Sequence, residues 1–299
     1  MTGRVREPAG PPRPDISVMA HLAVNEMPYG PPGSAHTAII NSSGTLYRHP
    51  DPTYTALVTT LARHLGVPHA TVMVGAGSSS ILQRLVRLTC TSSTDGVVFA
   101  NPSPAGYSLF ATQAGARQHR VSLRADGTVD ADRVVAAITP SVRMVILANP
   151  HNPTGTALPA TQLHDIILRI PSRVLVVLDE AYHEFADTAV PDSVELATAR
   201  WAHGHHNIAV LRTFSKAYGL AALRVGYGIA PPHLTTRVWA AAAPGEIGAG
   251  AADAAVAALA DSATMKRNCA HVASERVRVL TGLRQLGFSL PDSEVFSLS

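Results

Sequence analysis

The chain has 299 residues, 46% apolar and 15% charged, with 24 basic and 21 acidic side chains and a net charge of +3. That length suits one large or two moderate domains with a packed core, which excludes a mostly disordered chain. The mild basicity carries no long Lys/Arg run and no 18-residue apolar stretch is present, so nucleic-acid binding and a membrane span are both unsupported.

The start, residues 1–15, holds four prolines, two glycines and three arginines without an apolar core. It reads as a disordered lead-in rather than a secretory signal. His21 to Pro32 is extended and punctuated by Pro28, Gly30, Pro31 and Pro32. Thr53 to Leu65 reads as a helix with Leu57, Leu61 and Leu65 on one stripe. Strands and helices then alternate. Strands are expected over Thr71 to Val74, Val97 to Ala100, Arg120 to Leu123, Met144 to Ala148, Val174 to Leu178, Ile208 to Leu211 and Leu223 to Ile229. Helices are expected over Ser80 to Leu88, Ala105 to Ala114, Asp130 to Ile138 and Ala160 to Ile170. Thr235 to Ala260 and Ala263 to Leu286 look largely helical.

This alternation predicts an α/β fold, a mostly parallel sheet with helices on both faces. The wholly apolar run Val174 to Leu178 agrees, because a strand buried on both faces need not alternate. Ligands on such sheets bind beyond the carboxyl ends of the strands.

Chemistry-bearing residues sit at those ends. Gly75-Ala76-Gly77-Ser78-Ser79-Ser80 follows the first strand, where a tight turn and free helix N–H groups favour an anion. A serine-capped turn without a ligand is the equally balanced alternative. Asn149-Pro150-His151-Asn152-Pro153-Thr154-Gly155 follows another strand. Its prolines could hold Asn152 towards a ligand, or its asparagines could bond their own backbone. Asp179-Glu180-Ala181-Tyr182 follows the most apolar strand. An acid there needs a partner: a cation, a metal, a protonated ring nitrogen or a structural arginine. Arg212-Thr213-Phe214-Ser215-Lys216 follows the next, with Arg224 soon after.

Of 24 basic residues only two are lysine, Lys216 and Lys266. Arginine stays protonated, whereas a desolvated lysine can lose its proton and act as a nucleophile. An anion cradle, a fixed amide, an acid and a scarce lysine suit one ligand, pyridoxal 5'-phosphate.

The chain resembles the class I/II aminotransferases of the aspartate aminotransferase fold, and most of all the histidinol-phosphate aminotransferases. The carrying segments are Asn25 to Gly30, Arg48 to Pro52, Gly75 to Ser80, Asn149 to Gly155, Asp179 to Tyr182 and Thr213 to Gly226. The resemblance implies that Lys216 binds the cofactor covalently and shuttles a proton. It implies that Asp179 holds the ring nitrogen and that Asn152 and Tyr182 bond the phenolic oxygen. Ala76, Gly77, Ser78, Ser215 and Arg224 would take the phosphate, and Tyr107 would lie at the cofactor. Transamination of an amino compound such as histidinol phosphate with 2-oxoglutarate is the expected activity. A decarboxylase of a phosphorylated amino acid and a cofactor-binding but impaired paralogue are the alternatives. A nucleotide-binding oxidoreductase would leave Lys216, Asp179 and Asn152 unexplained.

Departures from the family pattern are visible. The cradle reads Ala76-Gly77-Ser78-Ser79-Ser80 in place of Asn-Gly-Ser-Asp-Glu. Pro104 stands where the family stacks an aromatic ring on the cofactor, a part Tyr107 would have to take over. His49 stands where a tyrosine reaches the partner's phosphate, with Tyr47 nearby.

The implied organisation is an N-terminal arm with part of a small domain over 16–50 and a large cofactor domain over 51–240. Linking helices and the start of a small C-terminal domain fill 241–299. The family's arginine for the substrate carboxylate lies beyond Ser299, so this chain is expected to bind the cofactor and transaminate poorly. A homodimer is expected, consistent with a charged fraction well under the roughly 25% of soluble domains. Cys90 and Cys269 match no disulfide or metal spacing, so a reduced cytoplasmic setting is expected. His203-Gly204-His205-His206 reads as a solvated loop.

Overall fold

The computed structural model describes residues 24–186 and 190–293. The lead-in over 1–15 lies outside them. Seven strands form one sheet: β1 Val72–Gly75, β2 Gly96–Asn101, β3 Arg117–Ser122, β4 Val142–Ala148, β5 Leu175–Asp179, β6 Ile208–Thr213 and β7 Gly226–Ile229. Their order is β1-β7-β6-β5-β4-β2-β3. β2, β3, β4, β5 and β6 pair in parallel, and β7 runs antiparallel to both β1 and β6. The expected mostly parallel α/β architecture is therefore present.

Successive residues of the apolar strands feed two separate cores. Val176 and Leu178 of β5 face one, together with Val145 and Leu147 of β4. Leu175 and Val177 face the other, with Met144 and Ile146. This is why Val174 to Leu178 shows no polar alternation: neither face meets water. The first core is roofed by α2 Thr55–Leu65, α6 Ala160–Arg169, α9 Ala249–Ala260 and α10 Ser262–Gln285. The second is roofed by α3 Ser78–Thr89, α4 Ala105–Gln113 and α8 Pro232–Ala240. Leu57 and Leu61 of α2 are buried and Leu65 is half-buried, as their shared stripe requires.

Three expectations need correction. The helix expected over Thr235 to Ala260 is two helices, because Pro244 and Gly245 break it; Gly245 adopts φ +68°. Two helices were not anticipated, α1 Gly33–Ser42 and α7 Ser193–Ala202. The short helix expected over Asp130 to Ile138 is α5 Ala131–Ala136, capped by Asp130, whose carboxylate accepts from the N–H groups of Asp132 and Arg133.

The registers bring the strand ends together. Asp179 at the end of β5 lies opposite Ala148 of β4 and Leu211 of β6. Because β7 runs the other way, it begins at the edge where its neighbours end. Gly226 pairs with Gly75 on one side and Thr213 on the other. A Cβ on Gly226 would overlap the backbone of Gly77 and Ser78. Only glycine lets the first turn of α3 sit directly on β7, a close approach that sets the height of that helix start over the sheet edge.

Gly226→Ala is accordingly expected to push α3 away and to destabilise the fold by about 1–3 kcal/mol, the usual range for overpacking. Urea denaturation checks it; an unchanged midpoint would show that α3 can shift without penalty.

Candidate active site

The strand ends enclose a cavity of about 230 Å³ whose walls include Ser78, Ser79, Pro104, Tyr107, Asn152, Asp179, Tyr182, Ser215, Lys216 and Arg224. Eight of the ten site residues expected from sequence thus line one cavity. Ala76 and Gly77 form the turn beneath it and are not among its walls.

The two adjacent acids behave oppositely. Glu180 is fully buried and takes Nε and Nη2 of Arg212 at 2.9 and 2.7 Å on Oε2. Arg212 also reaches Asp192 at 2.8 Å. The structural ion pair is therefore made by Glu180. Asp179 points into the cavity, and no cationic side chain pairs with it among the described residues. Its Oδ2 accepts from the Tyr107 hydroxyl at 2.7 Å and its Oδ1 from the Ala181 N–H at 3.2 Å. Desolvation pushes its carboxyl above the ordinary carboxylate range, against the pull of those two hydrogen bonds. An acid so placed can take a protonated ring nitrogen as its partner.

Tyr107 is 2% exposed, with its ring edge-on to Phe99 at 6.0 Å. Its hydroxyl is committed to Asp179, which does not match a ring-stacking part. Pro104, which ends β2's loop and caps α4, lines the cavity at the aromatic position.

At the anion end, the residue capping α3 is Gly77, at φ +78°, and no side chain caps the helix. This excludes the serine-capped turn: Ser78 and Ser79 are helical residues on the cavity wall. Arg224, at φ +53°, donates through Nη1 to Ser215 Oγ at 3.1 Å and to the Ala221 carbonyl at 2.9 Å. Its Nη2 lies so close to Gly77 that a Cβ there would meet it at 2.6 Å. Uncapped N–H groups, two hydroxyls and a guanidinium fit a phosphate.

In the loop after β4, Asn149 and Asn152 divide the two readings. Buried Asn149 ties the loop down, accepting from the Leu158 N–H at 2.7 Å and donating to its carbonyl at 3.2 Å. Asn152 turns into the cavity and donates to the Tyr182 hydroxyl at 3.4 Å. The same hydroxyl takes the Asn25 amide at 3.0 Å. Burial raises the pKa of Tyr182 above its ordinary value.

Lys216 is half-buried. Its Nζ lies 5.8 Å from the centre of the Tyr182 ring and donates to the carbonyls of Val24 at 2.8 Å and Asn25 at 3.1 Å. Burial, then the nearby Arg224 charge, lower its pKa below the ordinary lysine value. Lys266 is exposed and lines a different cavity. Asn25 is the site residue that sequence reasoning missed. Its motif was noted, but nothing local marks a contact 157 positions away.

The remaining sequence expectations lie elsewhere. Tyr47 is 78% exposed beneath the Arg48 guanidinium, and His49 is also exposed; neither lines this cavity. His203, His205 and His206 are exposed. Cys90 and Cys269 are buried, free thiols, pushed up to about 11 and about 12. No helix among the described residues is long and apolar enough to cross a membrane.

A sheet whose carboxyl edge gathers a lysine, an acid without a cationic partner among the described residues, an uncapped helix start beside an arginine and a tyrosine–asparagine pair has the make-up of a pyridoxal-phosphate enzyme of the aspartate aminotransferase fold. Residues 17–298 match the model of the family "Aminotransferase class I and II". The chain is 42% identical over 276 residues to an aromatic amino acid aminotransferase of Thermobifida fusca, covering 92% of this chain and 75% of that one. It is 40% identical over 278 residues to histidinol-phosphate aminotransferase 2 of Ralstonia nicotianae, covering 93% and 73%. The crystal structure of histidinol-phosphate aminotransferase from Sinorhizobium meliloti with pyridoxal-5'-phosphate superimposes with a TM-score of 0.83 at 30% identity, covering 91% of this chain and 72% of that one.

The chain belongs to the class I and II aminotransferase family and is a pyridoxal-phosphate-dependent aminotransferase. The nucleotide-oxidoreductase reading of the Gly75 turn is thereby set aside.

Asp179→Asn is expected to leave the cofactor-free protein as stable as the parent, or more so, at neutral pH, since it removes an enclosed charge that has no counter-ion among the described residues. The sign follows from the raised pKa. A carboxyl that holds its proton more tightly folded than unfolded favours the fold at low pH, so the advantage of the variant shrinks as pH falls through that raised value. Glu180→Gln breaks a buried pair and should cost about 3–5 kcal/mol. Urea titrations at neutral and acidic pH decide it; equal losses in both variants would make Asp179 a structural ion-pair partner too.

Proposed function

We propose that this chain moves an amino group from a donor carrying a planar ring, such as histidinol phosphate, to 2-oxoglutarate, with Lys216 as its covalent anchor and proton carrier. The observation that carries the reading is Asp179, an acid enclosed at a strand end without a cation, in the cavity that also holds the half-buried lysine. When bound, pyridoxal phosphate supplies an aldehyde that captures amines and a ring that takes up the electron pair released at the substrate α-carbon.

The residues divide the remaining work. Asp179 keeps a proton on the ring nitrogen, so that the ring stays a strong electron acceptor. Tyr182, held by Asn25 and Asn152, donates to the phenolic oxygen. The α3 N-terminus with Ser78, Ser215 and Arg224 grips the phosphate and fixes the ring against rotation. Lys216 would hold the cofactor covalently until a donor amine displaces it, and its freed Nζ would carry the substrate α-carbon's proton, a positioned transfer of the kind that contributes about 10²–10⁴-fold. A depressed pKa helps, because the amine must be neutral to accept that proton.

The donor class rests on relatives of almost equal identity that are named for aromatic amino acids and for histidinol phosphate. What those two donors share is an amine on a short chain ending in a flat ring. Borohydride reduction of the loaded enzyme followed by peptide mapping is expected to label Lys216; label on Lys266 would sink the anchor. With 2-oxoglutarate as acceptor, histidinol phosphate, phenylalanine and tyrosine are expected to outpace aspartate by at least about tenfold. Preference for aspartate would overturn the donor class.

We also propose a homodimer. Ile40, Leu46 and Tyr47 are 57%, 79% and 78% exposed around the segment carrying His49. Exposed apolar side chains this close in sequence suit burial against a second copy. Light scattering at micromolar concentration is expected to give about twice the 31.4 kDa chain mass. Leu46→Glu should favour the monomer, and a parent protein that is monomeric while holding cofactor tightly would refute the shared site.

A further inference from the structure

We propose that Tyr107 is a positioning residue for the ring nitrogen: its hydroxyl keeps Asp179 ionised and aimed, and so sets how firmly the ring holds its proton. The inference rests on the assignment of Asp179 above and assigns Tyr107 a part that the family resemblance does not.

Asp179 has two oxygens and two protein donors. Oδ1 takes the Ala181 N–H at 3.2 Å, and Oδ2 takes the Tyr107 hydroxyl at 2.7 Å, the shorter and stronger of the two. A carboxylate can accept about four hydrogen bonds, so both oxygens retain capacity towards the cavity. Its titratable neighbours among the described residues bond other groups. Glu180 is turned to Arg212, Tyr182 takes the amides of Asn25 and Asn152, and Lys216 bonds the carbonyls of Val24 and Asn25. Tyr107 is thus the one side chain seen bonding this acid among the described residues.

The tyrosine is built to stay there. It sits in the first turn of α4, with its ring edge-on to Phe99 of β2 at 6.0 Å and 74°. It belongs to the apolar core behind the sheet edge. Burial and the neighbouring carboxylate raise its own pKa well above the ordinary value. The phenol therefore remains a protonated donor throughout the working pH range. Asp179 is under the opposite pressure, because loss of water favours its neutral form and the Tyr107 bond opposes that loss. Without the hydroxyl the acid drifts towards the neutral form, and a neutral acid holds a ring proton weakly.

A cationic ring nitrogen repels a proton from the nitrogen that links the cofactor to Lys216, which lowers the pKa of that linkage. The linkage titration, followed by visible absorbance against pH, therefore reports the charge at Asp179 independently of turnover. In the loaded enzyme, Tyr107→Phe is expected to raise the absorbance midpoint by roughly one pH unit, in the same direction as Asp179→Asn and by less. It should also slow the half-reaction with the amino donor about tenfold to a hundredfold, the equivalent of one charged hydrogen bond. Phe99→Leu is the control: it loosens packing around the same ring and is expected to lower the melting temperature while leaving the midpoint in place. A Tyr107→Phe midpoint equal to the parent's, with a shifted Asp179→Asn midpoint, would overturn the role of Tyr107 alone. If Asp179→Asn does not shift either, the ring-nitrogen assignment falls with it. A shift in Phe99→Leu equal to that of Tyr107→Phe would reduce Tyr107 to packing.

Discussion

The candidate site depends on one acid, Asp179, that no cationic side chain among the described residues pairs with. Two acids follow each other at the end of β5, and pleating sends them to opposite environments. Glu180 goes to Arg212 and Asp192 in a buried ion-pair network, which satisfies the fold. Asp179 goes to the cavity and, among the described residues, accepts from the Tyr107 hydroxyl and the Ala181 N–H. An enclosed carboxylate without a cation costs stability, by several kcal/mol where the group is fully desolvated. The fold tolerates this because the neighbouring ion pair and two apolar cores hold β5 in place. An acid held this way favours a cationic ligand, which is what the proposed ring-nitrogen contact requires.

That charge has value only because the strand registers align it with its partners. The register sets Ala148 of β4, Asp179 of β5 and Leu211 of β6 abreast, so Asp179 and the loops carrying Asn152 and Lys216 meet at one edge. The reversed direction of β7 adds the Arg224 turn to that edge, and Gly226 lets the start of α3 rest on it. A parallel β7 would enter the sheet from the far edge and carry Arg224 away from the cradle. The antiparallel strand is therefore a functional feature of the topology.

What was legible in the sequence follows from where information is local. The apolar strands, the turns after them and the scarcity of lysine are local, and they marked eight residues that share the cavity. The direction of β7 is not local, because four residues of Gly-Tyr-Gly-Ile fit either orientation. Helix α1 escaped notice because only Ala35 and Ser42 of its ten residues are buried, leaving no apolar stripe. Helix α7 did carry a signal: Asp192 caps it by accepting from the Val194 N–H at 2.9 Å, with Glu195 in the first turn. The division of labour between Asp179 and Glu180 could not be read, since it depends on which neighbour supplies an arginine. Asn25 was hidden for the same reason: its partners, Tyr182 and Lys216, are defined only once the chain has folded.

Arginine and lysine usage completes the argument. The chain uses arginine wherever a permanent charge is useful. Arg212 neutralises Glu180 in the core, Arg84 meets Glu246 at 2.7 Å with little exposure on either side, and Arg224 spans Ser215 and the α3 start. A guanidinium suits all three, because it never loses its proton and offers several donors in a plane. At position 216 the same substitution would keep carbonyl contacts like those to Val24 and Asn25 and would still be cationic. It would fail at the one thing a guanidinium cannot do, which is to become a neutral amine in a half-buried site. Burial and the adjacent Arg224 charge both press Lys216 towards that neutral form. A permanently charged arginine and a lysine able to lose its proton thus lie on one cavity wall, and the first favours the neutral form of the second.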